Sequence, residues 1–332
     1  MAAAATTGGS AGAGPWRLAL ARLRRDRGGI AFLAVLATLV VLCLAAPLYS
    51  SAVAGTGPLE NHLADTVELD GQETFVVALD GRPIGPTWRS SYLLGADANG
   101  RDVAVRVLYA GRNSLLIAVA AAVLALLLGT ALGTVAGYVG GRIDALVMRA
   151  LDVVWAFPVL LLGVALGTAL AVDDATLGPL SAASTEKLAT VLLIGIGTSP
   201  YVARPVRSQV RVLRGQPFVD AAIVGGIGTR RVMTREIVPN LTFGLVALLT
   251  VLIANAIVLE AALSFLGAGV RPPEPSLGSM LHDGSARFGT SPHLIVVPCA
   301  ALAAIVMCVS LAGDAARRAL DPHGTTGAER RP

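Results

Sequence analysis

Long apolar runs separated by polar segments form the main pattern along this chain. About 20 consecutive apolar residues are needed for a helix to cross a bilayer. Six runs approach or reach that length, and the fourth is the shortest. The pattern predicts an all-α membrane protein with six transmembrane helices, at Ile30–Tyr49, Ser114–Gly137, Ala150–Val172, Leu188–Ala203, Leu241–Phe265 and Leu294–Asp314.

The composition agrees with a membrane protein. Hydrophobic residues make up 54% of the 332 residues and charged residues only 14%, whereas about 25% of a soluble domain is charged. An ordinary soluble fold is therefore excluded. The net charge of +4 reflects the placement of arginines around the membrane rather than binding to nucleic acid.

Basic residues are concentrated in alternate connections between the apolar runs. Positive charge in short loops is retained on the cytoplasmic side. This rule predicts that both termini are cytoplasmic, with residues 1–29 and 323–332 forming low-complexity or basic tails. The basic clusters that orient the chain lie at residues 17–27, 142–149, 204–235 and 317–331.

The polar segment 50–113 is then predicted to be extracytoplasmic. It contains short β-prone runs next to the pairs Asp70-Gly71 and Asp80-Gly81. Asp-Gly between such runs is a hairpin signal. We expect a small β element on the outer face, between the first two helices.

The longest predicted cytoplasmic connection, 204–240, has the features of a short helix. Proline suits the first helical position, an acid suits the first turn, and glycine suits the end, where we expect Gly226 to have positive φ. Such a helix on a membrane surface can dock into the groove of a partner. The candidate residues are Pro217, Phe218, Asp220, Ala221, Ala222, Gly225, Gly226, Ile237 and Pro239.

Three polar residues fall within the fifth apolar run: Asn255, Glu260 and Ser264. An ionisable side chain inside a membrane is costly and usually faces the bundle interior or a water-filled path. Two interpretations stay open. These residues form a structural pair or cap with a neighbouring helix, or they line a gate or a transport pathway.

The sequence does not predict catalytic or cofactor chemistry. The three cysteines lie within apolar runs, the four histidines are scattered, and no metal-ligand spacing is present. The single lysine, Lys187, follows Glu186 rather than a glycine-rich turn, so this chain has no phosphate-binding P-loop. An intramembrane hydrolase would need a paired nucleophile and base, which the apolar runs lack.

Several motifs between about Leu94 and Pro322 resemble a known family. They are Gly95-Ala-Asp-Ala-Asn-Gly-Arg-Asp102, Gly137–Asp144 with Arg149 and Asp152, the loop motif Asp220–Gly226, and Glu260–Leu281. Together they resemble the permease subunits of binding-protein-dependent ABC importers, in particular the second permease of dipeptide, oligopeptide and nickel systems.

The resemblance implies a type I ABC importer permease in the bacterial inner membrane that moves peptides delivered by an external substrate-binding lipoprotein. It also implies a homologous second permease and two cytoplasmic ATPase subunits, or one fused, which carry ATP and Mg²⁺. The coupling helix would span about Pro217–Gly228. The chain departs from the family at Asp220 (usually Glu), Glu236 (commonly His) and Leu277 (commonly Trp).

One alternative remains from the residues alone. An ion-coupled secondary transporter or a channel subunit could use Glu260 as its coupling group. Dependence on an ATPase that co-purifies with the chain distinguishes the two functions.

Overall fold

A computed structural model describes residues 21–24, 26–69, 71–172 and 181–320. The predictions for residues 1–20 and for the tail 323–332 lie outside the described residues. The principal helices are α1 (Arg27–Leu44), α2 (Val103–Val139), α3 (Gly141–Ala156), α4 (Val159–Val172), α5 (Ala182–Arg214), α6 (Pro217–Val224), α7 (Val238–Phe265), α8 (Leu277–Ser285) and α9 (His293–Leu320).

Shorter elements connect them. After α1 come a helical turn and a π-helical turn, Ala46–Tyr49 and Ser50–Ala54. Strands β1 (Thr66–Leu69) and β2 (Gln72–Phe75) form an antiparallel hairpin in which Thr66 pairs with Phe75 and Leu69 pairs with Gln72. The turn Thr229–Arg231 and the π-helical turn Val232–Ile237 lead into α7.

Within the described residues, four helical stretches are long and apolar enough to cross a membrane: Arg27–Leu44, Val103–Val139, Thr229–Phe265 and His293–Ala319. A fifth arises if α3 and the first part of α4 count as one bent span. The fourth expected span, Leu188–Ala203, lies within α5, where the charged residues Lys187 and Arg204 limit the apolar stretch. The number six therefore stays a prediction.

The expected third span, Ala150–Val172, is a broken pair of helices rather than one. Helices α3 and α4 are bent by 70° at their junction. The cause is Pro158, which lacks an N–H and disfavours a helical conformation in the preceding residue. Phe157 accordingly has extended φ and ψ of −88° and 124°.

Other helices extend beyond the apolar runs that predicted them. Helix α2 starts at Val103 because the carboxylate of Asp102 accepts hydrogen bonds from the N–H groups of Ala104 and Val105. Helix α5 starts after Ser181, which caps it through the N–H of Ser184. Residues 103–113, assigned from sequence to the outer segment, are thus the first turns of a helix.

Helices α2 and α5 lie parallel and in close contact. Glycines at positions 129, 133 and 137 of α2 face positions 199–202, 203–206 and 207–210 of α5 in the same order. A Cβ atom at Gly133 would lie 2.6 Å from the carbonyl oxygen of Ala203. Small residues four apart allow two helix backbones to approach this closely in a membrane.

The remaining helices surround this pair. Helix α7 packs against α2 and α9, and α1 packs against α9. The α1–α9 contact is close at Gly29, where a Cβ atom would lie 2.6 Å from that of Ala315. Nearby, Arg318 of α9 pairs with Asp26, the N-cap of α1, at 3.0 Å.

The bundle has two different ends. We call the end that carries the β-hairpin, the start of α2 and helix α8 the hairpin end. The opposite end carries α6 and the arginines of α5, and we call it the loop end.

A small buried cluster of Val76, Tyr92 and Ala96 packs beneath the hairpin. Burial, together with nearby carboxylates, raises the pKa of Tyr92 to about 12.

We predict that Gly133→Leu destabilises the protein by about 1–3 kcal/mol, the usual cost of overpacking a close contact. The added side chain must separate α2 from α5. Ala131→Leu is the matched control, because Ala131 is exposed on the same helix. Thermal unfolding in detergent measures both; an equal Tm for the two variants would contradict the close helix contact.

Candidate functional site

Helix α6 is a short helix with well-defined ends. Pro217 occupies its first position, and Gln216 precedes it in extended conformation. At the other end the N–H of Gly226 donates to the carbonyl of Ile223 at 3.0 Å, and that of Ile227 donates to Ala222 at 3.1 Å. These two bonds form a Schellman motif. The expected positive φ of Gly226 is observed, at 79°.

The inner face of α6 is anchored to its own chain. Val219 is fully buried in a cluster with Val232 and Ile237, and Ala222 packs partly against the same cluster. One sequence expectation is corrected here. The helix ends at Val224 instead of Gly228, because Gly225 and Gly226 terminate it. Of the two alanines in this helix, Ala222 faces this chain and Ala221 is exposed.

The outer face of α6 is open. Asp220, Ala221 and Val224 are exposed, and 89% of Val224 is accessible. Phe218 is 39% exposed at the edge of this face. Of the two other candidates, Pro239 is exposed and Ile237 is buried. The loop thus presents a small surface with an aliphatic centre and one acid.

A buried carboxylate fixes the base of this loop. Asp144 on α3 accepts hydrogen bonds from Arg207 Nε, from Arg207 Nη2 at 2.6 Å and from Arg211 Nη2, both on α5. Asp144 is buried, while the two arginines remain partly exposed. Hydrogen bonds between arginine and a carboxylate have a defined geometry. They therefore fix the position of α3 relative to the end of α5 that leads into α6.

Glu260 is also fully buried, near the hairpin end of α7. Ser264, one turn further on, donates a hydrogen bond to Glu260 Oε1 at 2.7 Å. The hydroxyls of Ser114 on α2 and Ser276 before α8 adjoin the same carboxyl group. The second oxygen, Oε2, makes no hydrogen bond with any described residue.

The Glu260 cluster joins three segments that are distant in sequence. Ser264 Oγ accepts from the N–H of Val270 at 3.0 Å, and Ser114 Oγ accepts from the N–H of Leu277 at 3.3 Å. Gly278 approaches α7 so closely that a Cβ atom would lie 2.2 Å from the carbonyl oxygen of Ala261. Glu260 and Ser264 therefore secure the turn that follows α7. Ser114 and Ser276 were missed from sequence, since isolated serines carry no distinctive signal.

Asn255 lies on a different face of α7. It is exposed together with Val251 and Val258 and lines a cavity of about 320 Å³ between α5 and α7. Thr198 and Tyr201 of α5 supply the other polar groups of that cavity. Asn255 is exposed at this cavity whereas Glu260 is buried, so the structure does not place the two residues in one site.

Two ionic clusters at the hairpin end were not predicted. In the first, Asp97 accepts hydrogen bonds from Arg101 Nε at 2.7 Å and from Arg106, which is 2% exposed. In the second, Lys187 contacts Glu274 at 2.5 Å. Beside the first cluster, burial raises the pKa of Asp102 although its backbone hydrogen bonds lower it.

The arrangement matches a known class of transport protein. The family model of binding-protein-dependent transport system inner membrane components matches residues 129–324. The chain belongs to this family. The model of the N-terminal transmembrane domain of oligopeptide transport permease C matches residues 14–62, so an N-terminal segment of the chain also has a counterpart among transport permeases.

Individual relatives agree with the family. The oligopeptide transport system permease protein OppC of Escherichia coli K12 is 34% identical over 92% of this chain and 91% of its own length. OppC of Salmonella typhimurium is 40% identical over 71% and 74%. The glutathione transport system permease protein GsiD of Shigella flexneri is 35% identical over 79% and 86%.

A solved structure shares the fold. A chain of the MetNI methionine ABC transporter, in an inward-facing conformation, superposes with a TM-score of 0.52 at 16% identity. It covers 65% of this chain and 96% of that chain. This likeness concerns the fold of the helical bundle alone.

We predict that Glu260→Gln retains folding and transport, whereas Glu260→Ala destabilises the protein by about 1–3 kcal/mol because buried hydroxyls lose their acceptor. Glutamine preserves an acceptor at Oε1. If Glu260 were an ion-coupling group, Glu260→Gln would abolish uptake as completely as Glu260→Ala. Uptake in vesicles and Tm in detergent distinguish a structural role of Glu260 from an ion-coupling role. Ser264→Ala is the control that keeps Glu260 and removes the hydroxyl that donates to it.

Proposed function

We propose that this chain is one permease subunit of an ATP-driven ABC importer and forms half of the translocation pathway for oligopeptides. The observation that carries the proposal is α6, a capped helix anchored on its inner face and exposed on its outer face. Relatives named as oligopeptide and glutathione permeases support the peptide class. A homologous second permease would complete the pathway.

In this proposal α6 transmits movement from an ATPase subunit. Its outer residues Ala221 and Val224 enter a groove of the ATPase, and Asp220 contributes an acid at the exposed helix start. Its inner residue Val219 packs on the cluster at the start of α7. A displacement of α6 is thus passed to α7, the helix that carries Asn255.

The α5–α7 cavity is the part of the pathway that this chain supplies. It offers Asn255, Thr198 and Tyr201 on an otherwise apolar wall. Such a wall suits peptides of varied sequence, since few polar groups contact the cargo. Glu260 and Ser264 act behind this wall by holding the end of α7.

The hairpin end would face outwards and meet the external substrate-binding lipoprotein. Both termini and the arginine-rich loop end would lie in the cytoplasm of a bacterial cell, in accordance with the positive-inside rule. The chain moves its substrate unchanged and binds no cofactor of its own. ATP and Mg²⁺ would bind the two partner ATPase subunits, or one fused subunit.

We predict that Ala221→Glu and Val224→Glu each weaken ATPase association by roughly tenfold or more, as expected for central interface positions, and reduce peptide uptake in parallel. Both residues are exposed, so folding of the subunit should be unaffected. The measurement is co-purification of ATPase subunits from detergent together with uptake of labelled peptide.

Leu79→Glu provides the matched control for these variants. Leu79 is 98% exposed at the hairpin end, and the same change there should leave ATPase association intact. Normal association and uptake in both α6 variants would exclude this helix as the point of energy transfer.

We predict that cysteines introduced at Gln72 and Thr229 label from opposite sides of the membrane. Cys43, Cys299 and Cys308 are first replaced by serine or alanine; of these, Cys299 is exposed. Gln72→Cys should react in cells that have lost their outer membrane but keep an intact cytoplasmic membrane. Thr229→Cys should react only after permeabilisation, and reaction of both without it would disprove the topology.

A further inference from the structure

The elbow between α3 and α4 forms an apolar groove against α5. The groove has a volume of about 540 Å³ and is lined by residues such as Val154, Phe157, Leu162, Leu192, Ile196 and Gly197. Leu192 and Ile196 are 40% and 44% exposed. The volume falls within the range of about 300–1,000 Å³ typical of small-molecule sites.

The loop-end mouth of this groove is aromatic and charged. Tyr201 and Arg204 lie one and two turns beyond Gly197 on α5, so the face that forms the groove continues into them. Tyr201 stacks on Trp155 of α3 with ring centroids 4.3 Å apart. The guanidinium of Arg204 lies 4.3 Å from the centre of the Trp155 ring.

The charges at the mouth favour an anion. Arg204 donates to Asp152 at 2.9 Å, and this arginine side chain remains 44% exposed. Arg149 is exposed one turn before Asp152 on α3. Residues three apart are neighbours on a helix surface, so Arg149 adds a second positive charge beside Asp152. A ligand with a single negative charge would balance the two arginines and one carboxylate.

An apolar groove inside a membrane with a cationic, aromatic mouth matches a phospholipid. Tryptophan and tyrosine favour the headgroup level of a bilayer, and basic pockets between membrane helices bind anionic headgroups. A transmembrane helix of another subunit would fill the groove but leave one of the two arginine charges unbalanced, because among the described residues Asp152 is the single carboxylate at the mouth.

We propose that this site binds one anionic phospholipid, with an acyl chain in the groove and the phosphate at Arg149 and Arg204. The lipid covers the α3–α4 elbow, where Pro158 interrupts the helix, and it supports the 70° bend. The proposal goes beyond the transport function, since it requires only that the chain lies in a bilayer.

The test is native mass spectrometry of the full-length chain, purified in mild detergent with the subunits that accompany it. Phosphatidylglycerol and phosphatidylcholine are titrated separately. The wild type should retain one phosphatidylglycerol and little phosphatidylcholine. Arg149→Ala/Arg204→Ala should weaken phosphatidylglycerol binding roughly thirty-fold, from the contribution of two basic residues at a membrane surface.

Arg317→Ala is the matched control, because Arg317 is an exposed arginine at the loop end of α9. It should leave lipid retention unchanged. Ile196→Trp fills the groove from an exposed position and should prevent binding while both arginines remain.

A second readout uses the fluorescence of Trp155. In a Trp16→Phe/Trp88→Phe background, brominated phosphatidylglycerol should quench Trp155 at a lower mole fraction than brominated phosphatidylcholine, and the double arginine variant should abolish this difference. Equal retention of both lipids by the wild type, or unchanged retention by the double variant, overturns the proposal. Efficient cross-linking of Ile196→Cys to another permease subunit also overturns it, since protein would then cover the groove.

Discussion

The close parallel contact between α2 and α5 is the constraint on which the other parts of the structure depend. Gly129, Gly133 and Gly137 bring the two backbones together where no larger side chain fits. In a bilayer, burial of apolar surface does not drive helices together, so close packing and polar contacts must do so. Because α5 is held along α2, its loop end reaches Asp144 and its hairpin end reaches Glu274.

Buried polar groups fix further helices around the contact between α2 and α5. Asp144 fixes α3 to α5 at the loop end, and Glu260 ties α7 to the segments around Ser114 and Ser276 at the hairpin end. An unpaired polar group in a low-dielectric interior is costly, so each cluster favours one arrangement of its helices. Between the two clusters, α5 and α7 enclose the cavity that Asn255 lines.

The same arrangement explains how a small loop could act on a long bundle. Helix α6 has few contacts with the bundle, but Val219 anchors it to the buried cluster from which α7 begins. In the proposed importer, force applied to the exposed side of α6 would be applied to α7 as well. The elbow at Pro158 borders a different face of α5 from the one that lines the α5–α7 cavity. There the bend forms the apolar groove in which we propose a bound lipid.

The sequence by itself determined the membrane class, the positions of most long helices, the capped helix in the arginine-rich loop and the positive φ of Gly226. These features depend on local chemistry: apolar length, proline at a helix start and glycine at a helix end. Tertiary structure decided what sequence could not. It turned Ala222 inwards and Ala221 outwards, and it buried Glu260 while leaving Asn255 exposed. It also assembled Asp97 with Arg106, and Trp155 with Tyr201 and Arg204, because such contacts depend on which distant helices become neighbours, and the spacing of residues along a single chain does not contain that information.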